Sequence, residues 1–209
     1  MKITHSICLL MAMMVSQLTF ADKASPKSQN LLVLGDSISA AYGMKPEEGW
    51  VALLEEKLQQ YDVGTVNASI SGETTAGGLA RMPALIEKYS PRWVIVELGG
   101  NDGLRGYPIG RMKANLANII EQSQAAKAQV LLIGMQIPPN YGKRYTRLFS
   151  EAFPELAKKY EVSLVPTFLE SVAVKPDAMQ SDGIHPNSSA QGALLETAWP
   201  SILAMIQAQ

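Results

Sequence analysis

The chain has 209 residues, enough for one domain with a substantial core and too few for two ordinary ones. Hydrophobic residues make up 47% and charged residues 18%, which sets it apart from disordered chains. Lys and Arg number 18 against 19 Asp and Glu, with no basic run, so neither a nucleic-acid partner nor a polybasic membrane contact is indicated.

The first 21 residues read as a secretory signal peptide. Lys2 gives a positive start, Ile7 to Val15 is an uncharged apolar run, and Thr19-Phe20-Ala21 places small residues at the cleavage-reading positions. That run is too short to span a bilayer, so no stable membrane anchor is expected. Cleavage after Ala21 would send the mature protein to the periplasm or the medium, without Cys8, the only cysteine, and without His5. Residues 22–29 are a polar lead-in, and 30–209 read as one domain. A monomer is expected, since nothing in the sequence demands a partner subunit.

Five apolar, partly β-branched runs then recur: Leu31–Leu34, Val63–Asn67, Trp93–Leu98, Val130–Met135 and Val162–Val165. Several are apolar on both faces, as parallel strands covered by helices require. Between them lie segments of helical spacing. Trp50, Leu53, Leu54 and Leu58 form one stripe, and Leu116, Ile119 and Ile120 another. Thr74 or Thr75 is placed to cap a further helix that Pro83 restarts, and Pro154 to open a short one ending near Tyr160. The last helix is expected from Asn187 or Ser188, kinked or ended by Pro200. This alternation predicts one three-layer α/β/α domain on a parallel sheet, a fold whose ligands sit beyond the carboxyl ends of the strands.

Polar residues of chemical potential follow the strands. Gly35-Asp36-Ser37-Ile38-Ser39 comes after the first, Ser69-Ile70-Ser71-Gly72-Glu73 after the second, Gly99-Gly100-Asn101-Asp102 after the third, and Asp182-Gly183-Ile184-His185-Pro186 beyond the fifth. Each alone reads as a turn or a helix cap. Four at one sheet edge read as a site. His185 would be the sole imidazole of the mature chain, and imidazole is the side chain suited to moving protons near neutrality. A hydroxyl needs such a base to become a nucleophile, and the base needs an acceptor on its other nitrogen. Ser37, His185 and Asp182 fit those parts. Developing negative charge on a carbonyl oxygen needs donors, for which the N–H groups of Ser37 and Gly72 and the amide of Asn101 are candidates.

These blocks resemble the SGNH, or GDSL, hydrolases, in order from about residue 30 to the C-terminus. Gly49-Trp50-Val51-Ala52-Leu53-Leu54, Gly103-Leu104-Arg105-Gly106 and Asn140-Tyr141-Gly142-Lys143-Arg144-Tyr145 are similar to the periplasmic thioesterase I branch, whose members are also described as arylesterases, lysophospholipases and protease I. The resemblance implies a flavodoxin-like five-stranded parallel sheet in order 2-1-3-4-5. It also implies Ser37 as nucleophile, Asp182 and His185 completing a triad, Gly72 and Asn101 at the oxyanion site, and a small acyl ester or thioester as substrate. No metal or organic cofactor is called for. Leu104, Tyr107, Ile109, Ile137 and Tyr141 are candidates for an acyl groove, although Ile137-Pro138-Pro139 departs from the branch's pattern. A flavin-binding module, with Ser37 and Ser39 cradling a phosphate, would leave the Asp182/His185 pair without a use. Asp36, Asp102 and Asp182 as a hard-cation site is a weaker alternative still.

Overall fold

The structure, a computed structural model, describes residues 29–208. The expected signal peptide, with Lys2, His5 and Cys8, and all of the polar lead-in but Gln29 lie outside the described residues. Five strands form one parallel sheet: β1 Gln29–Gly35, β2 Val63–Asn67, β3 Trp93–Glu97, β4 Gln129–Ile133 and β5 Ser163–Val165, in the order β2-β1-β3-β4-β5. The order reverses after β1, and the registers set Leu31 beside both Thr65 and Trp93.

Side chains alternate across the sheet, so each central strand feeds two cores. Leu31, Val33, Ile95, Leu131 and Ile133 face α1 Trp50–Leu58 and α7 Gln191–Gln207, with α6 Glu170–Ala173 beside them. Leu32, Leu34, Val94, Val96 and Leu132 face α2 Thr75–Tyr89, α4 Ile109–Ala125 and α5 Lys143–Tyr160. A short helix, α3 Gly100–Leu104, stands where the sequence suggested only a turn. Thr74 caps α2, its side chain accepting the N–H of Gly77, and Asn187 caps the 3-10 turn Ser188–Ala190 that leads into α7.

Pro83 and Pro154 depart from expectation, and of the two outcomes expected at Pro200, a kink or an end, the second does not occur. Pro83 does not restart α2, Pro154 does not open α5, and Pro200 does not end α7; each lies inside a continuous helix. All three are exposed, so each helix turns its proline away from the core. Buried residues on both sides hold two of the helices together: Phe149 and Phe153 before Pro154 with Leu156 after it, and Leu194 and Ala198 before Pro200 with Ile202 after it; around Pro83, Met82 is buried and Leu85 and Ile86 pack partly buried on the same core. Packing on both flanks outweighs the single lost bond.

Candidate active site

β1 ends at Gly35, and the chain turns through Asp36 and Ser37 at the carboxyl edge of the sheet. Amide bonds from Ala40 to the Asp36 carbonyl (2.9 Å) and from Tyr42 to the Ser37 carbonyl (3.1 Å) hold the turn. Its floor is a buried polar cluster that the sequence did not disclose. Glu97, at the end of β3, is wholly buried, and its Oε2 accepts the Asp36 N–H (3.2 Å) and the Ser39 hydroxyl (2.7 Å). Trp50 Nε1 donates to Ser39 Oγ at 3.2 Å. A Cβ on Gly35 would lie 2.7 Å from both Glu97 Oε2 and Ser39 Cβ, so any side chain there would force the cluster apart. Ser39 is therefore committed to the floor and is not free to cradle a phosphate. The only hint in the sequence was a single acid closing an otherwise apolar buried strand.

Asp36 is buried as well. Its Oδ1 accepts the Ile38 N–H (3.1 Å), and its Oδ2 accepts one N–H of the Asn101 amide (3.1 Å). Burial pushes its carboxyl up from 3.8 to about 6, against the pull of the Ile38 N–H, His185, Asn101 and Ser37. Glu97 is raised well above its usual value, first by burial and then by Asp36. Its Oε1 is buried without a partner among the described residues, an arrangement tolerable for a neutral acid and costly for a carboxylate.

Ser37 and His185 meet across 148 positions of sequence, with Oγ 2.9 Å from Nε2. On the other side of the ring, Nδ1 lies 2.7 Å from Asp182 Oδ2. The Asp182 carboxylate also accepts the N–H groups of Ile184 (2.9 Å) and His185 (3.0 Å) through Oδ1. These bonds lower its pKa from 3.8 to about 2, the His185 N–H contributing most, then the His185 ring, then the Ile184 N–H. An ionised carboxylate only accepts, so the ring proton sits on Nδ1, and Nε2 is left to accept from the Ser37 hydroxyl. Tyr42 lies against the imidazole, ring centroids 4.5 Å apart.

The remaining candidates come from the neighbouring strand ends. Gly72 has φ +79°, a left-handed conformation natural to glycine, and its carbonyl accepts from Arg105 (3.0 Å). Asp102, next to Asn101, accepts both the N–H (2.8 Å) and the hydroxyl (2.7 Å) of Thr75 at the start of α2. The segments carrying Gly72 and Asn101 are thus tied to each other. Asp36, Asp102 and Asp182 use their oxygens on separate partners and form no metal-ligand group among the described residues. A groove of about 640 Å³ opens between the starts of α4 and α5, lined by Ile109, Tyr141, Lys143, Arg144 and Tyr145, among others. Of the groove candidates, Ile109 and Tyr141 line it. Leu104, Tyr107 and Ile137 do not. Ile137 is buried in the core, where its Cγ2 would lie 2.8 Å from a Cβ on Gly103, and Leu104 packs partly buried on the same core. Tyr107 is exposed, and its carbonyl accepts from the Tyr145 hydroxyl (2.7 Å).

The sequence model of the GDSL-like Lipase/Acylhydrolase family matches residues 33–193, a span reaching from β1 through the histidine loop into α7. The chain belongs to this family. Among GDSL-like acylhydrolases it is 50% identical over 181 residues to the esterase TesA of Pseudomonas aeruginosa, covering 86% of this chain and 90% of that one. It is 50% identical over 174 residues to "Thioesterase 1/protease 1/lysophospholipase L1" of Escherichia coli, covering 83% and 82%. The crystal structure of the psychrotrophic esterase EstA from Pseudoalteromonas, inhibited by monoethylphosphonate, superposes with a TM-score of 0.80 at 44% identity, over 84% of this chain and 97% of that one. The chain is a family ester hydrolase, and the expected fold and strand order are those of its GDSL-like relatives. Among the described residues no helix is long and apolar enough to cross a membrane.

Proposed function

We propose that Ser37 is the acylated nucleophile, His185 the general base and acid, and Asp182 the group that orients and stabilises the imidazolium. The observation that carries this reading is the unbroken chain from Asp182 Oδ2 through the ring to Ser37 Oγ, at 2.7 and 2.9 Å. Ser37 Oγ attacks the acyl carbonyl carbon as its proton passes to Nε2. The carbonyl π pair moves onto oxygen, where the N–H groups of Ser37 and Gly72 and the free N–H of the Asn101 amide are the donors. The bond to the leaving oxygen or sulfur then breaks, and Nε2 returns the proton to that atom. Water repeats the sequence on the acyl-serine, releasing the carboxylic acid and restoring the Ser37 hydroxyl. Inhibition of the related EstA by a phosphonate supports a nucleophile of this kind.

The substrate class is a small acyl ester or thioester: an acyl-CoA, a lysophospholipid or an aryl ester. The combined name of the Escherichia coli relative supports that breadth. That Ile109 and Tyr141 line the groove between the starts of α4 and α5 supports them as the residues that receive an acyl chain. Every group invoked comes from one chain, which supports a monomer as the working unit. The N-terminal pattern supports export and cleavage near Ala21, followed by work in the periplasm or the medium. Competition among a thioester, a lysophospholipid and short- and long-chain aryl esters, with Ser37→Ala as blank, tests the assignment. Hydrolysis of each by the parent and none by the blank is expected; equal hydrolysis by both overturns it.

A further inference from the structure

His185 is carried by a loop with no regular element of its own, between the 3-10 turns Pro176–Ala178 and Ser188–Ala190. Backbone bonds close that loop upon itself: Gln180 N–H to the His185 carbonyl (2.8 Å), Gly183 N–H to the Gln180 carbonyl (3.0 Å), and Asn187 N–H to the Ala178 carbonyl (2.9 Å). They shape the loop without setting where it stands relative to Ser37. Gln191, whose Oε1 accepts the Trp50 N–H (3.0 Å) while its Nε2 donates to the Asn187 carbonyl (3.1 Å), anchors only the loop's exit, to α1.

Besides His185 itself, one side chain hydrogen-bonds from the loop to the nucleophile turn. Gln180 Nε2 donates to the Tyr42 carbonyl at 2.8 Å and to the Pro186 carbonyl, next to His185, at 3.1 Å. The amide has two hydrogens, and each finds one of these acceptors. Tyr42 is bound in turn to the Ser37 carbonyl through its own N–H (3.1 Å). The turn is also cut to receive this amide: Gly43 has φ +76°, and a Cβ there would lie 2.2 Å from Gln180 Oε1. Apart from the Ser37–His185 contact, this is the sole hydrogen bond between the loop and the turn among the described residues.

We propose that Gln180 is a positioning residue for the hydrolysis: its amide clamps the histidine loop to the nucleophile turn and so sets the separation of Nε2 from Oγ. The proposal rests on the reading of Ser37 and His185 as nucleophile and base. Water can replace the amide at the carbonyl of the exposed Tyr42, yet a water there does not hold that carbonyl at a fixed distance from the one on the buried Pro186. The loop then keeps its internal backbone bonds and loses its registration. A misplacement of about 1 Å between reacting groups costs on the order of 100-fold in rate.

Gln180→Met keeps the length of the side chain and removes the donor. Its kcat is expected to fall roughly 10- to 100-fold, with KM moving less than about threefold, because the groove at α4 and α5 is untouched. The rate at which a fluorophosphonate labels Ser37 should fall in step, since labelling needs the Ser37–His185 contact and not the groove. Gln180→Glu sharpens the test. Ionised, it offers no donor to either carbonyl; protonated, it offers one. The ratio of its kcat to that of the parent, taken at each pH so that the titration of the shared machinery cancels, should rise as pH falls from 7 to 5. The same ratio for Gln180→Met should stay flat. A folded Gln180→Met with kcat within twofold of the parent overturns the proposal, as does a flat ratio for Gln180→Glu. Failure of both variants to fold makes Gln180 a structural residue and equally overturns it. If Ser37→Ala keeps its activity, the underlying triad reading fails instead, whatever Gln180 does.

Discussion

Two carboxylates flank the same serine and are driven in opposite directions. Asp36, on the floor side, is buried and raised to about 6; Asp182, on the loop side, is exposed and lowered to about 2. Both receive backbone N–H bonds, so hydrogen bonding alone does not separate them. Burial does: the floor is roofed by the nucleophile turn and packed beneath by Glu97, whereas the histidine loop lies in solvent. On the proposed triad, the fold therefore keeps a charge where an imidazolium would need to be stabilised. It places protonatable acids where the need is for shape.

The contrast breaks most visibly at the reacting pair. Ser37→Ala or His185→Ala should lower kcat by roughly 10³- to 10⁶-fold while the protein stays folded; steady-state esterase assays on clean protein check this, and near-full activity would remove the pair from the reaction. Asp182→Asn keeps the size of the loop acid and discards its charge. It should cost about 10²- to 10⁴-fold in kcat, because an amide no longer enforces the Nδ1–H tautomer. A loss under threefold would mean that the exposed carboxylate is ornamental. Next comes Asn101→Ala, which deletes a donor aimed by Asp36 and should cost about 10²- to 10³-fold in kcat with little change in KM.

The smallest effect is on stability, and it tests the floor directly. The folded state holds a proton on Asp36 up to about pH 6, whereas the unfolded chain releases it near 3.8. Stability from that proton is present below 3.8 and is lost as pH rises to about 6, a swing on the order of 3 kcal/mol. Asp182 runs the other way: its contribution is present above 3.8 and fades as pH falls toward 2. Urea unfolding of parent and Asp36→Asn from pH 4 to 7 should show the variant gaining on the parent as pH rises. Parallel curves would mean that the floor acid is not held protonated.

Legibility followed the range of the interactions. β2 ran over the expected Val63–Asn67, and the other strands moved by only a few residues at their ends, because an apolar run between turn residues is read within its own window. The convergence of Ser37, Gly72, Asn101 and His185 on one sheet edge was legible for a topological reason: parallel strands all end on the same side. The prolines misled, since a local rule forbids them inside a helix and only packing on both flanks shows where they are tolerated. Glu97 lay within the expected strand Trp93–Leu98 with no role of its own, and Gln180 drew no reading at all.

The amino-acid order by itself determined the layered α/β class, the strand count and the stock of reactive groups, since hydrophobic period and turn chemistry act over a few residues. Tertiary structure alone decided that Glu97 lies under Ser39, that Asp36 aims the Asn101 amide, that Ile137 belongs to the core and that Gln180 spans from loop to turn. Each of those facts is a contact between segments tens to more than a hundred residues apart. Burial, which sets the opposite protonation of Asp36 and Asp182, exists only once the layers have closed.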